Sequence, residues 1–359
     1  MLDVAIHCGA AWGRWSPLDI AWRGLGGSET AAVRIAATLT ARGYEVTVFG
    51  ECEDARHGGV RYRDWRAFDP ERPLRCVIGS RDPELFDDQP AARLRILWLH
   101  DADYAGRLTA ARADCVDRVA AVSRWQATAL KAAHPYLDGK ICVVGNGIVH
   151  ADFAPRPWAG RKPWVVYSSS PYRGLLDLLD LWPDVHARVP DAELHHCRAA
   201  IYERLAERSA AAAEVLRRVA DRTAACPGVV AHGGLSQPKL ASLLCRSRVW
   251  AHPSFSALTG EPWLETSCIA AIEAQAAGCA VVASAWGALP EVVKAGALVS
   301  GPPRSARWRR ELVEQIVAGL TDAAVGATAV ANGPPAVRDM SWTEVGRRFA
   351  GLLALSPTR

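Results

Sequence analysis

Short apolar runs alternate with helical patterns along the whole chain, and this alternation limits the fold more than any other feature. Val4–Cys8, Glu45–Phe49, Arg75–Gly79, Leu94–Leu99, Arg118–Val122 and Lys140–Val144 read as strands, with a helix over Ser28–Arg42 after a glycine-rich loop. Mostly continuous apolar strands separated by helices indicate a parallel sheet covered on both faces. The rhythm pauses at Phe153–Pro163, where three prolines fall within eleven residues. It restarts with Trp164–Ser168, Glu193–Cys197, Val229–His232, Val249–His252, Ala280–Ala283 and Ala297–Val299. A chain of 359 residues also exceeds one ordinary core of about 150 residues. The expected fold class is therefore α/β with two doubly wound, Rossmann-like domains, 1–153 and 164–335, joined by an extended linker at 154–163. Pro334-Pro335 is read as the end of the second half. In 336–359 the amphipathic stretch Ser341–Leu355 needs a partner surface, for which the first domain is the candidate.

Composition removes several classes of function. Half of the residues are hydrophobic, 22% are charged and the net charge is +4, which fits neither a disordered chain nor a membrane protein. Lys and Arg are not clustered as a nucleic-acid partner requires. Met1–Val4 carry no basic leader, so no secretory signal and a cytoplasmic location are expected. The uncharged stretch Ala274–Pro290 is broken by Gln275, Gly278 and Ser284 and reads as helix end, turn and strand. Ten cysteines without a C-x-x-C pair read as reduced core residues. His195-His196-Cys197 is the one metal-like cluster, and adjacent histidines on a strand face opposite ways, so no metal is expected there. Arg304, Arg307, Trp308, Arg309 and Arg310 read first as a solvated helix face, and second as a peripheral contact with anionic lipid on the inner membrane face.

The most informative segment is Glu265–Gly278. Two glutamates, Glu265 and Glu273, stand eight positions apart, and the second is embedded in an Ala-rich apolar helix. Were both helical, they would share nearly one face. Burying Glu273 is costly unless it is hydrogen-bonded, and ribose hydroxyls would serve. If Glu265 instead precedes the helix, the N–H groups of Ser267, Cys268 and Ile269 mark a helix start suited to a phosphate. From spacing alone, this reading and that of one solvated plus one salt-bridged glutamate stand level. Gly24-Leu25-Gly26-Gly27-Ser28-Glu29 joins the first strand to the first helix, with Ser28 as candidate N-cap. Its glycines permit close approach of a phosphate, while the absence of Gly-x-Gly-x-x-Gly argues against a dinucleotide.

Glu-x7-Glu followed by Ala-Gln-Ala-Ala-Gly, then Ala280–Ser284 and Gly287-Ala288-Leu289-Pro290-Glu291, resembles the retaining GT-B glycosyltransferases of the group often called family 4. Pro253-Ser254 after a strand, Val122-Ser123-Arg124 and Val144–Ile148 match further landmarks in family order. Gly145 replaces the family's Pro and Val149 its Asp. The resemblance weakens over Glu51–Pro90 and Tyr202–Ala225.

The resemblance implies two Rossmann-like domains facing a cleft, and sugar transfer from a UDP- or GDP-type nucleotide sugar to a hydroxyl or amine with anomeric retention. It implies that Gly26 and Gly27 face the donor diphosphate, that Arg173 of Arg173-Gly174-Leu175 is its cationic ligand, and that His100 lies near the transferred sugar. Glu265 would read sugar hydroxyls and Glu273 the ribose. The family's second basic residue, expected near Tyr167–Ser169, is replaced by Tyr and Ser. Asp101 and Asp103 are candidates for contact with the acceptor, a small molecule, glycan or lipid-linked species, or for helix capping. The donor half shows no Asp-x-Asp, so a metal-independent reaction without cofactor is expected. A sugar-nucleotide epimerase of the same plan and a catalytically silent binding protein are the alternatives.

Overall fold

The computed structural model describes residues 3–11, 13–198 and 201–354. The chain divides into two compact units. The first holds residues up to Asp19, Leu25–Gly147 and those from Met340 onward; the second holds Ile20–Gly24 and Ile148–Asp339. The boundary thus falls at Gly147/Ile148 rather than after residue 153, and the short segment Ile20–Gly24 sides with the second unit.

The first unit is built on strands β1 (Asp3–His7), β2 (Glu45–Gly50), β3 (Ala55–His57), β4 (Val60–Asp64), β5 (Leu74–Ser80), β6 (Ala92–Leu99), β7 (Arg118–Ala121) and β8 (Ile141–Val143). They lie in the order β3-β4-β2-β1-β5-β6-β7-β8, and all neighbours are parallel except the β3/β4 pair. The apolar centres of the strands, such as Val4, Ile6, Val77 and Leu97, are fully buried. The antiparallel β3/β4 edge escapes a reading by apolar runs because β3 is exposed throughout and β4 buries only Val60 and Tyr62.

Helices of this unit are α2 (Gly27–Thr40), α3 (Ala110–Asp114) and α4 (Arg124–Ala133), with α13 (Trp342–Ala354) completing it, whereas α1 (Asp19–Trp22) runs into the segment that sides with the second unit. α2 covers the sheet through Ala32, Ile35, Ala36 and Leu39. α13 packs on α2, where Gly346 lies against Thr38, and Phe349 meets Trp98 edge-on at 4.9 Å. Leu355, the end of the stretch read from sequence, lies outside the described residues, as do Met1 and Leu2.

The second unit has β9 (Lys162–Tyr167), β10 (Glu193–Cys197), β11 (Val229–His232), β12 (Ser247–His252), β13 (Ala280–Ser284) and β14 (Ala297–Val299), all parallel, in the order β11-β10-β9-β12-β13-β14. This is the doubly wound order of a mononucleotide-binding pair, and its direction reverses between β9 and β12. The helices are α5 (Leu175–Arg188), α6 (Ile201–Arg208), α7 (Ala210–Ala225), α8 (Gln237–Arg246), α9 (Ile269–Ala276), α10 (Leu289–Val292), α11 (Ala306–Thr321) and α12 (Ala323–Ala336).

Several local expectations change. The proline-rich segment is not a free linker. Arg161, only 3% exposed, donates to the carbonyls of Arg156, Ser247 and Ala277, and Trp158 lies under Arg248. Pro334 and Pro335 sit in the last turn of α12. Trp308 is fully buried, stacked on Trp286 at 5.7 Å, so it offers no aromatic to a lipid surface, and Arg304 is paired with Asp177. His195 and His196 face opposite ways: His195 meets Glu193 and His232, while His196 meets Thr223. Among the described residues no single helix is long and apolar enough to cross a membrane; α11 and α12, which reach that length together, are bent by 86°.

Candidate active site

The carboxyl ends of β9 and β12 flank the point where the second sheet reverses. The loop after β9 carries Arg173, and the loop after β12 runs to Glu265. Gly174 brings them together. It caps α5 with φ +117°, and a Cβ there would stand 2.9 Å from the Ser254 nitrogen, so only glycine lets the loops approach so closely. Glu265 is seated in the same manner by the loop after β13. The Ala288 N–H donates to the Glu265 carbonyl, and Gly287, with φ +61°, leaves no room for a side chain against the Glu265 backbone.

Glu265 lies ahead of α9, not on it. The two glutamates therefore do not share a helix face as a continuous helix would impose. The Glu265 carboxylate is 4% exposed as a residue and stands 3.7 Å from the Arg173 guanidinium, with the buried His252 Nε2 at 3.2 Å. Burial pushes its carboxyl up, yet the Arg173 charge and the hydrogen bonds from His252 and Trp263 outweigh that and hold it below the ordinary glutamate value. Arg173 responds in the opposite sense: burial opposes its charge, and the Glu265 carboxylate more than restores it. Trp263 lies over the guanidinium, 4.3 Å from ring centroid to Cζ.

α9 begins after Cys268, which adopts a left-handed conformation at the cap. Ser267 and Cys268 are buried, whereas Ile269 and Ala270 in the first turn are half-buried, leaving the helix start reachable. Burial, reinforced by Glu265, raises the Cys268 thiol well above its ordinary value. Glu273, one turn on, is buried and accepts a 2.5 Å hydrogen bond from Gln237 at the start of α8. Gln275 has a structural task, bonding the Ala271 and Val292 carbonyls and the Lys294 and Ala295 N–H groups.

His252, Glu265 and Cys268 place one ligand atom each within 4.8 Å of one another. The Arg173 guanidinium supplies the carboxylate of this set with a counter-charge.

In the first unit, Gly26 caps α2 and Gly27 opens it; Ser28 lies in the first turn instead of capping it. The Glu29 carboxylate turns back over Gly26, where a Cβ would collide with it, and Ser28 Oγ donates to the same carboxylate. Arg81, at the end of β5, makes two bonds to Asp101 and one to Ser28. Asp103 accepts from the Ala105 N–H in a local turn, and the α3 cap is Thr109, so neither aspartate caps that helix. The His100 ring rests on Trp98 at 4.4 Å. Burial, helped by Arg81, lowers its pKa to about 3, so it is neutral at physiological pH. Arg81, Gln237, His252 and Trp263 carry no signal in spacing or composition and emerge only from the fold.

The chain is similar to known proteins in sequence over part of its length and in fold over nearly all of it. Residues 162–322 match the family model of the group 1 glycosyl transferases. The matched stretch spans less than half of the chain. It lies wholly inside the second unit and contains Arg173, Glu265 and Glu273. No curated protein matches the chain. Among solved structures, sucrose-phosphate synthase from Thermosynechococcus elongatus is 18% identical with a TM-score of 0.71, covering 98% of each chain. HepE of Anabaena, solved with UDP and glucose, is 16% identical with a TM-score of 0.67, covering 99% of this chain and 100% of that one. WaaG, a glycosyltransferase involved in lipopolysaccharide biosynthesis, is 14% identical with a TM-score of 0.68, covering 98% and 99%. The fold is thus the GT-B architecture of two parallel-sheet α/β domains.

Proposed function

We propose that the protein is a retaining glycosyltransferase that takes a UDP- or GDP-linked sugar and transfers the sugar to a hydroxyl or amine acceptor without a metal. The observation that carries this reading is the meeting, at the reversal point of the second sheet, of Arg173, Glu265, Glu273 and the accessible start of α9. A planar guanidinium and helix N–H groups suit a diphosphate leaving group, and a buried glutamate on the same helix suits a pair of ribose hydroxyls. HepE was solved with UDP-glucose, which supports a donor of that class.

In this reading the bond between the anomeric carbon and the diphosphate oxygen breaks on the face where the acceptor oxygen or nitrogen attacks. The departing phosphate takes the acceptor proton. Arg173 and the α9 start stabilise the charge that develops on the leaving group. Glu265 orients the sugar. Tyr167 cannot stand in fully for a second cation, since its hydroxyl is committed to the Ser170 carbonyl at 2.6 Å; the helix start and Ser168 are left to share that load.

The test is a panel of UDP- and GDP-sugars screened by thermal shift, followed by product anomer analysis by NMR. Glu273→Ala is expected to weaken donor binding by about 10- to 100-fold, the range for hydrogen bonds to a charged group. Unaltered binding by Glu273→Ala, or an inverted anomer in the product, would overturn the corresponding part of the reading.

A further inference from the structure

Between Ser254 and Glu265 the chain makes an excursion that closes on itself. The Trp263 N–H donates to the Ser254 carbonyl at 2.9 Å, and Ser254 Oγ donates to the Trp263 carbonyl at 2.8 Å. Phe255 and Pro262 form a bridge, and the Ser256 N–H donates to the Glu261 carbonyl. The loop is also fastened from outside. The Ala257 N–H donates to the Tyr172 carbonyl, one residue before Arg173, and Phe255 lies 3.7 Å from the Arg304 guanidinium carbon, itself fixed by two bonds to Asp177. Ser254, Phe255 and Ser256 are buried, while the Leu258 tip is 43% exposed.

The product of this bracing is a fixed indole. Trp263 covers the face of the Arg173 guanidinium at 4.3 Å, and its side chain also hydrogen-bonds Glu265. A guanidinium offers two surfaces. Its face is attracted by an aromatic ring, whereas its N–H donors point outward in the plane. The indole takes the face and leaves the edge for phosphate oxygens. The only carboxylate paired with Arg173 is Glu265 at 3.7 Å, too far for a tight fork, so among the described residues the edge is not locked by an acid.

We propose that Trp263 is a positioning residue that holds the Arg173 guanidinium in the plane where it meets the diphosphate of the donor. This rests on the donor reading above. It adds to that reading that the cation is pre-oriented by a braced aromatic and not by a second charged side chain.

The experiment titrates UDP and GDP calorimetrically into the intact protein and its variants. If the wild type binds neither nucleotide, the donor reading itself fails and this inference falls with it. Where one binds, Trp263→Leu is expected to lose at least tenfold in affinity for it. Trp263→Phe, which keeps a ring over the guanidinium, is expected to stay within threefold of wild type. In an Arg173→Ala background, which retains Glu273 for the ribose, Trp263→Leu is expected to cost less than threefold more. This last measurement separates positioning from general packing, since a packing defect would persist without Arg173. The proposal is overturned if Trp263→Leu binds like wild type, if Trp263→Phe is as poor as Trp263→Leu, or if the loss is undiminished without Arg173. Circular dichroism confirms folding, and Trp263→Met replaces the leucine variant, with the same criteria, should that one not fold.

Discussion

Two helix starts invite comparison, α2 in the first unit and α9 in the second. Each follows a loop at the carboxyl end of a parallel strand. The family resemblance assigns Gly26 and Gly27 to a diphosphate, and the residues after Glu265 read as a helix start suited to a phosphate, yet the surroundings of the two differ. At α2 the protein supplies its own anion: Glu29 folds back over Gly26, and the nearby Arg81 is spent on Asp101 and Ser28. At α9 there is no acid in the first turn, the capping thiol is held neutral, and Arg173 has an aromatic on its face and a distant carboxylate on its edge. A helix start is thus not an anion site by virtue of its dipole alone. The dipole amounts to about half a charge, so one neighbouring carboxylate or guanidinium decides its sign.

The comparison can be broken most decisively at Arg173. Arg173→Ala is expected to lower kcat/KM for donor by about 100- to 1000-fold, the usual loss when a leaving-group or oxyanion ligand is removed; steady-state kinetics with the donor found in the screen checks it. If the loss is below tenfold, α9 is not the dominant phosphate site. A smaller effect of opposite sign is expected at Glu29. Removing its charge in Glu29→Gln frees the α2 start and should tighten UDP or GDP binding by about two- to fivefold, in keeping with a charge at a helix terminus. Calorimetry reads this directly, and weaker binding would mean that Glu29 serves the ligand instead of excluding it.

The smallest effect concerns pH. The folded His100 binds its proton only near pH 3, whereas an unfolded chain binds it near the ordinary histidine value of 6.5. Between those values the unfolded state holds the extra proton, so stability falls as pH drops from about 6.5 toward 3. Replacing His100 by Asn should flatten the melting temperature over that window and leave it unchanged above pH 7. The depressed Glu265 acts in the same direction but only below its ordinary value of 4.5, so the His100 contribution stands apart between 4.5 and 6.5 and the two overlap below that.

The doubly wound plan was legible because parallel strands are buried on both faces and leave continuous apolar runs, as at Ile6, Val77 and Val282. The edge pair β3/β4 was not, because a solvated edge buries few residues and leaves no run to read. Within the site, Glu265, Glu273 and Arg173 were visible as charges in glycine-marked or apolar settings. Trp263, Gln237, His252 and Arg81 were not, since each acts on a partner distant in sequence or held there by a loop, and no local period links them. Ser28 was read as a cap because its residue type favours that place; a helix beginning one residue earlier, at Gly27, put it in the first turn instead.

The sequence by itself determined where the buried strands and the helices between them run, and its resemblance to a known family singled out Arg173, Glu265 and Glu273. Only the tertiary structure decided which charges meet. It set Glu265 ahead of its helix against Arg173, folded Glu29 onto the other helix start, and laid an indole on the guanidinium. The physical reason is range. Burial and backbone preference are recorded within a few residues, but the charge of a site is a sum over neighbours that only folding brings within a few ångströms.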